Sequence, residues 1–371
     1  MRRVVLIVPS WLSAEGEDSV LRAKLPALEA FAERSLLRKC VPIADVSTPE
    51  AAWLGIEPSS IALQDGPLIV SAFGYDPPDR SAQFQLSLLS LVEGVAKRPK
   101  VKIPEAELDV IWEATKSLNT KVLTAVRGEG TEHGLVWEDG SLELGTISSS
   151  EMEGKAVDER LPEGDGERML RRFIDDSINL LSELELNRAR SEEGLEPLNL
   201  WWPWGQGFRT ATPNLALKRG ETCRVESASI RLQGLTRLCG YRHGDRGALR
   251  AGLRTDLEYL VGSLSREACS IGLIDVFGEL RTLGRQEEMD WFTKELDRRL
   301  FAPLWDLARL EPLSLTLVAP GLPTAADEGL ALTYSSGAVG ANTIPFDERA
   351  LEERTLDRAQ VWSVVNQALI S

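Results

Sequence analysis

Val4-Val5-Leu6-Ile7-Val8 is an unbroken apolar run near the amino terminus, and it is the stretch that decides the fold class. A run without polar alternation is typical of a parallel strand that is buried on both faces of a sheet. The next patterned segment, 19–37, repeats apolar residues at about 3.6-residue spacing, which predicts a helix packed on that sheet. A strand followed by a helix indicates an α/β core with a mostly parallel central sheet and helices on both faces.

Residues 59–164 have a different character, with shorter strand patterns around one helical pattern at 105–117. The expected strands are 67–72, 81–91, 121–126 and 134–137. This mixture predicts a smaller inserted α+β domain within a core formed by 1–58 and 165–371. A length of 371 residues agrees with two domains, because one domain usually has roughly 100–200 residues.

The overall charge limits the classes of partner. The chain has 57 acidic and 42 basic residues, a net charge of −15, which repels nucleic acid and anionic membranes. We therefore expect neither as a partner.

The cysteines bear on the compartment. Cys40, Cys223, Cys239 and Cys269 are far apart and form no C-x-x-C motif, so their spacing predicts neither a zinc site nor a redox pair. We expect a cytoplasmic protein.

Several phrases resemble, in the order in which they occur, the archaeal-type cofactor-independent phosphoglycerate mutases of the alkaline phosphatase superfamily. The phrases are Trp202-Pro203-Trp204-Gly205-Gln206-Gly207, Leu161-Pro162-Glu163-Gly164-Asp165-Gly166, Leu186-Asn187-Arg188-Ala189-Arg190, the segment 297–304 and the segment 317–324. The resemblance implies an alkaline-phosphatase-like core with a smaller inserted α+β domain. It agrees with the division indicated by the residue patterns.

In that family, a serine carries the phosphoryl group while two divalent metals, such as manganese or zinc, hold it and the nucleophile. The ligand set requires three histidines, whereas this chain has two in total. The positions that the resemblance assigns to the site are Ser10, Pro49, Glu279, Leu283, Gly321 and Leu322. Ser10 and Gly321 stand at aspartate positions, Leu322 at a histidine position and Pro49 at the nucleophile. In the segment 277–284, Glu279 alone is chemically similar to a metal ligand of the family. The same segment contains Leu283.

The resemblance therefore predicts a degenerate member of the family that lacks the metal ligands and the nucleophile. We expect no cofactor and no catalysis, and a chain retained as a binding, regulatory or structural module. The alternative is an active mutase or phosphatase-like metalloenzyme with a rebuilt metal site. The hard-cation donors for such a site are Asp45, Glu50, Asp275, Glu279, Asp327 and Glu328.

The substrate-side segment of the family is better retained. Arg190 corresponds to an arginine that helps to bind phosphoglycerate, and a guanidinium suits phosphate bidentately. We expect a small anionic ligand near Arg190, with Asn187, Arg188 and His133 assisting, at the junction of the two domains. The alternatives are a surface arginine paired with a neighbouring glutamate and a histidine buried for structural reasons. A homo-oligomer is a further expectation.

Overall fold

A computed structural model describes residues 1–12, 24–41, 49–209, 211–321, 328–336, 346, 350 and 356–370. The strands are β1 (Arg2–Ile7), β2 (Leu36–Val41), β3 (Ala82–Val92), β4 (Val95–Lys97), β5 (Leu123–Glu129), β6 (Glu132–Trp137), β7 (Leu144–Gly145), β8 (Glu163–Gly164), β9 (Leu200–Gly207), β10 (Arg224–Glu226), β11 (Arg242–His243), β12 (Cys269–Leu273), β13 (Leu313–Ala319), β14 (Gly329–Ser335) and β15 (Arg358–Gln360).

The helices lie between and after these strands. The α-helices are α1 (Pro26–Ala32), α2 (Pro49–Trp53), α3 (Asp65–Ala72), α4 (Glu105–Thr115), α5 (Ser149–Met152), α6 (Glu167–Ser182), α7 (Glu185–Glu192), α8 (Leu215–Arg219), α9 (Ile230–Leu238), α10 (Arg246–Leu249), α11 (Leu257–Leu264), α12 (Phe277–Thr282), α13 (Gln286–Leu296), α14 (Ala302–Leu310) and α15 (Val361–Ile370). No helix among the described residues has the length and apolar character needed to cross a membrane.

The chain divides into two compact units. Unit 1 comprises Met1–Ile61 and Thr212–Ser371, and unit 2 comprises Ala62–Ala211. The return to unit 1 therefore comes at Thr212, later than the expected position 165. The reason is that β9 pairs with β3 and that α6 buries its apolar face in the core of unit 2.

Unit 1 contains an eight-stranded sheet in the order β11-β10-β12-β1-β13-β14-β2-β15. Strand β1 lies at its centre, parallel to both β12 and β13, and Val4 is paired with Ser270 and with Leu315. Residues Val4–Val8 are buried, as an unbroken apolar run predicts. The predicted α/β class with a large, mostly parallel central sheet flanked by helices is confirmed.

The helix predicted at 19–37 is shorter than expected. Residues 13–23 lie outside the described part of the chain, α1 ends at Ala32, and β2 begins at Leu36. The Ser35 hydroxyl donates to the Phe31 carbonyl oxygen (2.7 Å) at the end of the helix. Strand β2 was missed because six residues with mixed polarity give little periodic signal.

The apolar spacing of residues 286–306 predicts a helix, and the structure forms it as α13, a π-helical turn (Asp297–Phe301) and α14. Pro303 lies in the first turn of α14, where its missing N–H leaves the hydrogen-bond register free to shift. The Asp297 carboxylate accepts hydrogen bonds from the N–H groups of Ala27 (3.3 Å) and Leu28 (2.8 Å). This carboxylate therefore caps the amino end of α1 from a distant part of the sequence.

Unit 2 contains a five-stranded antiparallel sheet, β4-β3-β6-β5, in which β9 also pairs with β3. The strand predicted at 67–72 is wrong, because Asp65–Ala72 is helix α3. Six apolar residues do not distinguish a buried strand from a buried helix, and the preceding Asp65-Gly66-Pro67 suits the first turn of a helix.

The Trp-Pro-Trp-Gly-Gln-Gly phrase forms most of strand β9. Its two indole N–H groups and that of the preceding Trp201 all have acceptors: Trp201 donates to Thr115 Oγ1 (2.8 Å), Trp202 to the Ile147 carbonyl (2.9 Å) and Trp204 to Ser87 Oγ (3.0 Å). The phrase therefore serves the packing of unit 2.

Candidate functional site

The candidate site lies in unit 1 at the carboxyl ends of the parallel strands, where open α/β sheets usually bind ligands. Ser10 follows β1, Asp275 follows β12 and Pro320 follows β13. The Ser10 N–H donates to the Pro320 carbonyl oxygen (2.9 Å), and a Cβ on Gly278 would lie 3.6 Å from Ser10 Oγ. The structure thus brings Ser10, the start of α12 and the residues before Gly321 to one edge.

Ser10 is held in a strained backbone conformation by an arginine. Its φ is 58°, in the left-handed region that non-glycine residues rarely adopt, and the residue is buried. Arg281 Nε donates to the Ser10 carbonyl and Arg281 Nη2 to the Trp11 carbonyl, both at 2.7 Å. A guanidinium is therefore fixed at the end of β1. The sequence analysis missed Arg281, although it lies two residues after Glu279.

Trp11, the next residue, packs the same strand end into the core of unit 1. Its ring stacks on Phe301 and on Phe277, with centroids 5.7 and 5.9 Å away, and its Nε1 donates to Thr293 Oγ1 (3.0 Å). The position after β1 is therefore a rigid, filled part of the core.

Three carboxylates from different elements lie near this edge: Glu50 on α2, Asp275 after β12 and Glu279 on α12. Partial desolvation, and next the charges of Glu50 and Glu279, raise the pKa of Asp275. Asp275 keeps much of its surface in solvent and lines a cavity of about 210 Å³, so water screens these charges.

Glu50 is the buried member of this group. Its Oε1 accepts from Arg231 Nε (2.7 Å), while its Oε2 is buried without a hydrogen-bond partner in the described part of the chain. Burying one carboxylate oxygen without a donor is unfavourable, although the ion pair with Arg231 offsets part of the cost.

We expect Asp275→Asn to raise the free energy of unfolding at pH 7, because it removes a charge that the folded state disfavours. The increase should be only about 0.5 kcal/mol, because water screens a partly exposed carboxylate. The folded state holds this proton more tightly than the unfolded chain. The contribution of Asp275 to the free energy of unfolding therefore falls as the pH rises from its ordinary pKa of 3.8 through its raised pKa in the folded state. At pH 7 this contribution is unfavourable. Urea unfolding at several pH values measures the difference, with the exposed Asp79→Asn as the control. Equal behaviour of the two variants would contradict the expectation.

The donors at the family positions do not fit a two-metal centre. Ser10 offers a neutral hydroxyl and Gly321 no side chain, while Pro49 begins α2 and Leu283 is exposed. Within the described ranges, no three His, Cys, Asp or Glu side chains are arranged to hold a metal ion. Asp45, Leu322 and Asp327 lie outside those ranges.

The predicted ligand-binding residues Asn187 and Arg190 are both in unit 2 and both buried. The Asn187 amide donates to the carbonyls of Leu181 (2.8 Å) and Leu198 (3.0 Å) and accepts from the Leu198 N–H (2.7 Å). Arg190 Nη1 is paired with Glu107, and its Nε donates to the Glu196 carbonyl (2.9 Å). Internal groups thus occupy both side chains.

The other two predicted residues also make internal contacts. Arg188 is exposed and pairs with Glu183 (3.2 Å). His133 is buried, with its ring centroid 5.4 Å from that of Trp112 and 4.9 Å from that of Trp201. Its Nδ1 accepts from the Gly128 N–H (2.9 Å), and burial lowers its pKa to about 4, so the ring is neutral at pH 7.

Two larger cavities of about 430 and 670 Å³ lie in unit 2. Neither is lined by Asn187, Arg188, Arg190 or His133. The structure therefore does not bring these four residues together around either space.

Comparison with curated sequences finds relatives of one kind. A probable 2,3-bisphosphoglycerate-independent phosphoglycerate mutase of Geobacter sulfurreducens is 26% identical over 231 residues, covering 59% of this chain and 58% of the relative. A 2,3-bisphosphoglycerate-independent phosphoglycerate mutase of Methanosarcina mazei is 24% identical over 325 residues, covering 83% and 81%. The first alignment thus spans less than two thirds of that relative. No protein-family model matches the chain.

Solved structures show the same fold. A Pyrococcus horikoshii protein superposes with a TM-score of 0.78 at 16% identity, covering 99% of this chain and 96% of that one. The cofactor-independent phosphoglycerate mutase of Thermoplasma acidophilum superposes with a TM-score of 0.67 at 18% identity, covering the whole of both chains.

The sheet order of unit 1 and these superpositions define a mixed α/β protein whose candidate site lies at the carboxyl edge of a mostly parallel sheet. The curated relatives that the chain matches are 2,3-bisphosphoglycerate-independent phosphoglycerate mutases, and a solved cofactor-independent phosphoglycerate mutase has the same fold.

Proposed function

We propose that this chain is a catalytically inactive relative of the 2,3-bisphosphoglycerate-independent phosphoglycerate mutases, retained as a binding, regulatory or structural module. One observation carries the proposal: the Arg281 guanidinium bonds the carbonyls of Ser10 and Trp11, at the strand end where the resemblance implies a metal-binding aspartate. A fixed positive charge there opposes a divalent cation, and Ser10 supplies no negative charge in compensation.

A second candidate function is a phosphatase-like metalloenzyme with a rebuilt site. It is favoured by the buried Glu50 Oε2, which has no hydrogen-bond partner among the residues that the structure describes, and by the nearby carboxylates of Asp275 and Glu279. Carboxylate oxygens suit hard cations such as Mg²⁺ and Mn²⁺. Against it, Arg231 neutralises Glu50 through a 2.7 Å ion pair.

We expect the purified chain to convert 3-phosphoglycerate no faster than a buffer blank when Mn²⁺, Mg²⁺ or Zn²⁺ is added. The physical reason is the loss of both nucleophile and metal donors at the family positions. Conversion is followed by a coupled assay for 2-phosphoglycerate, and elemental analysis gives the metal content. The Methanosarcina mazei relative serves as the positive control.

The two candidate functions predict different results for one variant. Metal-dependent hydrolysis of a phosphate ester, lost in Glu50→Gln but kept in the exposed Glu192→Gln, would overturn the inactive assignment and support the rebuilt site. Equal absence of turnover and of stoichiometric metal in the wild type and both variants supports the inactive relative.

A small anionic ligand near Arg190, a homo-oligomer and a cytoplasmic location stay predictions. The contacts of Arg190 with Glu107 and Glu196 favour a structural role for this arginine over a ligand-binding one.

A further inference from the structure

Two cysteines that are far apart in the sequence are neighbours in the sheet of unit 1. Strands β10 and β12 are parallel, and their register pairs Arg224 with Ser270, so the preceding residues, Cys223 and Cys269, also lie opposite each other. Opposite residues in a sheet point to the same face, and neighbouring strands are about 4.8 Å apart. That spacing lies inside the range of roughly 4.4–6.8 Å that a disulfide spans between Cα atoms.

Both thiols are buried and unoxidised. The Cys223 thiol donates a long hydrogen bond to the Arg224 carbonyl oxygen (3.8 Å). The neighbouring Cys223 thiol lowers the pKa of Cys269, and the charges of Arg3 and Arg219 act in the same direction, whereas burial and the Glu221 carboxylate act against it. Burial, and next the neighbouring Cys269, raise the pKa of Cys223. Cys269 is therefore the better thiolate and Cys223 the proton-bearing partner.

Charged side chains of both signs lie near this pair, and Arg3 is paired with Glu221. Arg3 is opposite Cys269 in the register of β1, and its Nε is buried without a hydrogen-bond partner among the described residues. Arg219 bonds the Tyr241 hydroxyl and Asn366 Oδ1. Arg3 and Arg219 favour the thiolate form of Cys269, and the Glu221 carboxylate offsets part of their effect.

We propose that Cys223 and Cys269 are a redox-active pair that a hydroperoxide converts into a reversible disulfide. In the described part of the chain, the short strands β10 and β11 are the ones that lie outside β12 on this side of the sheet, so local opening of that edge exposes the pair to a small oxidant. The bond closes a loop that contains Ser229 and Arg231, and Arg231 holds Glu50 at the candidate site. Oxidation thus ties this edge of unit 1 covalently to β12.

The chemistry balances with hydrogen peroxide as the oxidant. The Cys269 thiolate attacks one peroxide oxygen, an S–O bond forms, the O–O bond breaks, and the leaving hydroxide takes up the thiol proton as water. The Cys223 sulfur, after losing its proton, then attacks the sulfenic sulfur. An S–S bond forms, and the departing hydroxide leaves with that proton as a second water. Two thiols lose two electrons, and one peroxide is reduced to two waters.

The test uses the full-length chain, reduced, freed of reductant and exposed to hydrogen peroxide at pH 7.5. We expect the thiol count in denaturant to fall from four to two and to return to four with dithiothreitol. Tryptic mass spectrometry should find a peptide that links Cys223 to Cys269. In Cys223→Ser, the thiol of Cys269 should stop at a sulfenic acid that dimedone traps, whereas Cys269→Ser should lose thiols at least about tenfold more slowly.

Cys40→Ser and Cys239→Ser are the matched controls. Both thiols are buried, burial raises each pKa to about 12, and neither substitution should slow formation of the Cys223–Cys269 link. The mapping of the wild-type chain decides the question even if a variant does not fold. Retention of all four thiols in wild type, or a link between any other two cysteines, overturns the proposal.

Discussion

Arg190→Ala should lower the free energy of unfolding by about 3 kcal/mol, because it leaves a largely buried carboxylate without its partner. The Arg190 side chain is 6% exposed and Glu107 is 23% exposed, so water compensates only part of the loss. The Glu196 carbonyl also loses its donor. Denaturant unfolding followed by tryptophan fluorescence measures the change.

Two comparisons separate this structural role from anion binding. Arg188→Ala removes an exposed arginine two residues away and should cost less than about 0.5 kcal/mol. Arg190→Met combined with Glu107→Gln should recover most of the loss, because no unpaired charge remains. Unchanged stability in Arg190→Ala, together with loss of phosphate binding in a low-salt calorimetric titration, would instead support the ligand-binding role.

The second large effect is a loss of stability on acidification that depends on His133. Burial lowers the pKa of His133 to about 4, below its ordinary 6.5, so the unfolded chain binds this proton more tightly than the folded one. The stabilisation is therefore complete above pH 6.5 and is lost as the pH falls towards 4, by about 3 kcal/mol in all.

His133→Gln should reduce this pH dependence, since the glutamine amide is polar but does not titrate. The measurement is urea unfolding between pH 4 and 7 for wild type and variant. His243→Gln is the control: the pKa of His243 is also lowered by burial, but the His133 part of the slope should remain. A wild-type slope retained in His133→Gln would place the titrating group elsewhere.

Much of the fold follows from patterns that are local in sequence. The run Val4–Val8 predicts the central strand because only a strand covered on both faces tolerates continuous apolar residues. The amphipathic period of 286–306 likewise predicts the helix pair α13 and α14. The strand β2 and the helix α3 were not predicted correctly, since six apolar or mixed residues give too few repeats to choose between the two periods.

The candidate site was predictable only in part. The resemblance assigned Ser10, Glu279 and Gly321 to the site, and Glu50 and Asp275 were named as hard-cation donors. The partners of these residues were not predicted, because Arg281 and Arg231 approach them through tertiary contacts. The partner of Arg190 was not predicted either. An arginine in this segment suggests that it binds an anion, whereas its burial beside Glu107 indicates an internal ion pair.

By itself, the sequence determined the α/β class, the presence of a second domain and the lack of family donors such as histidine, because these depend on composition and on short periodic patterns. The tertiary structure alone decided which charges and thiols meet. Cys223 and Cys269 form no recognisable motif, yet parallel pairing of β10 with β12 sets them side by side. Contacts across a sheet depend on strand order and register, and neither can be read from the spacing of residues along one chain.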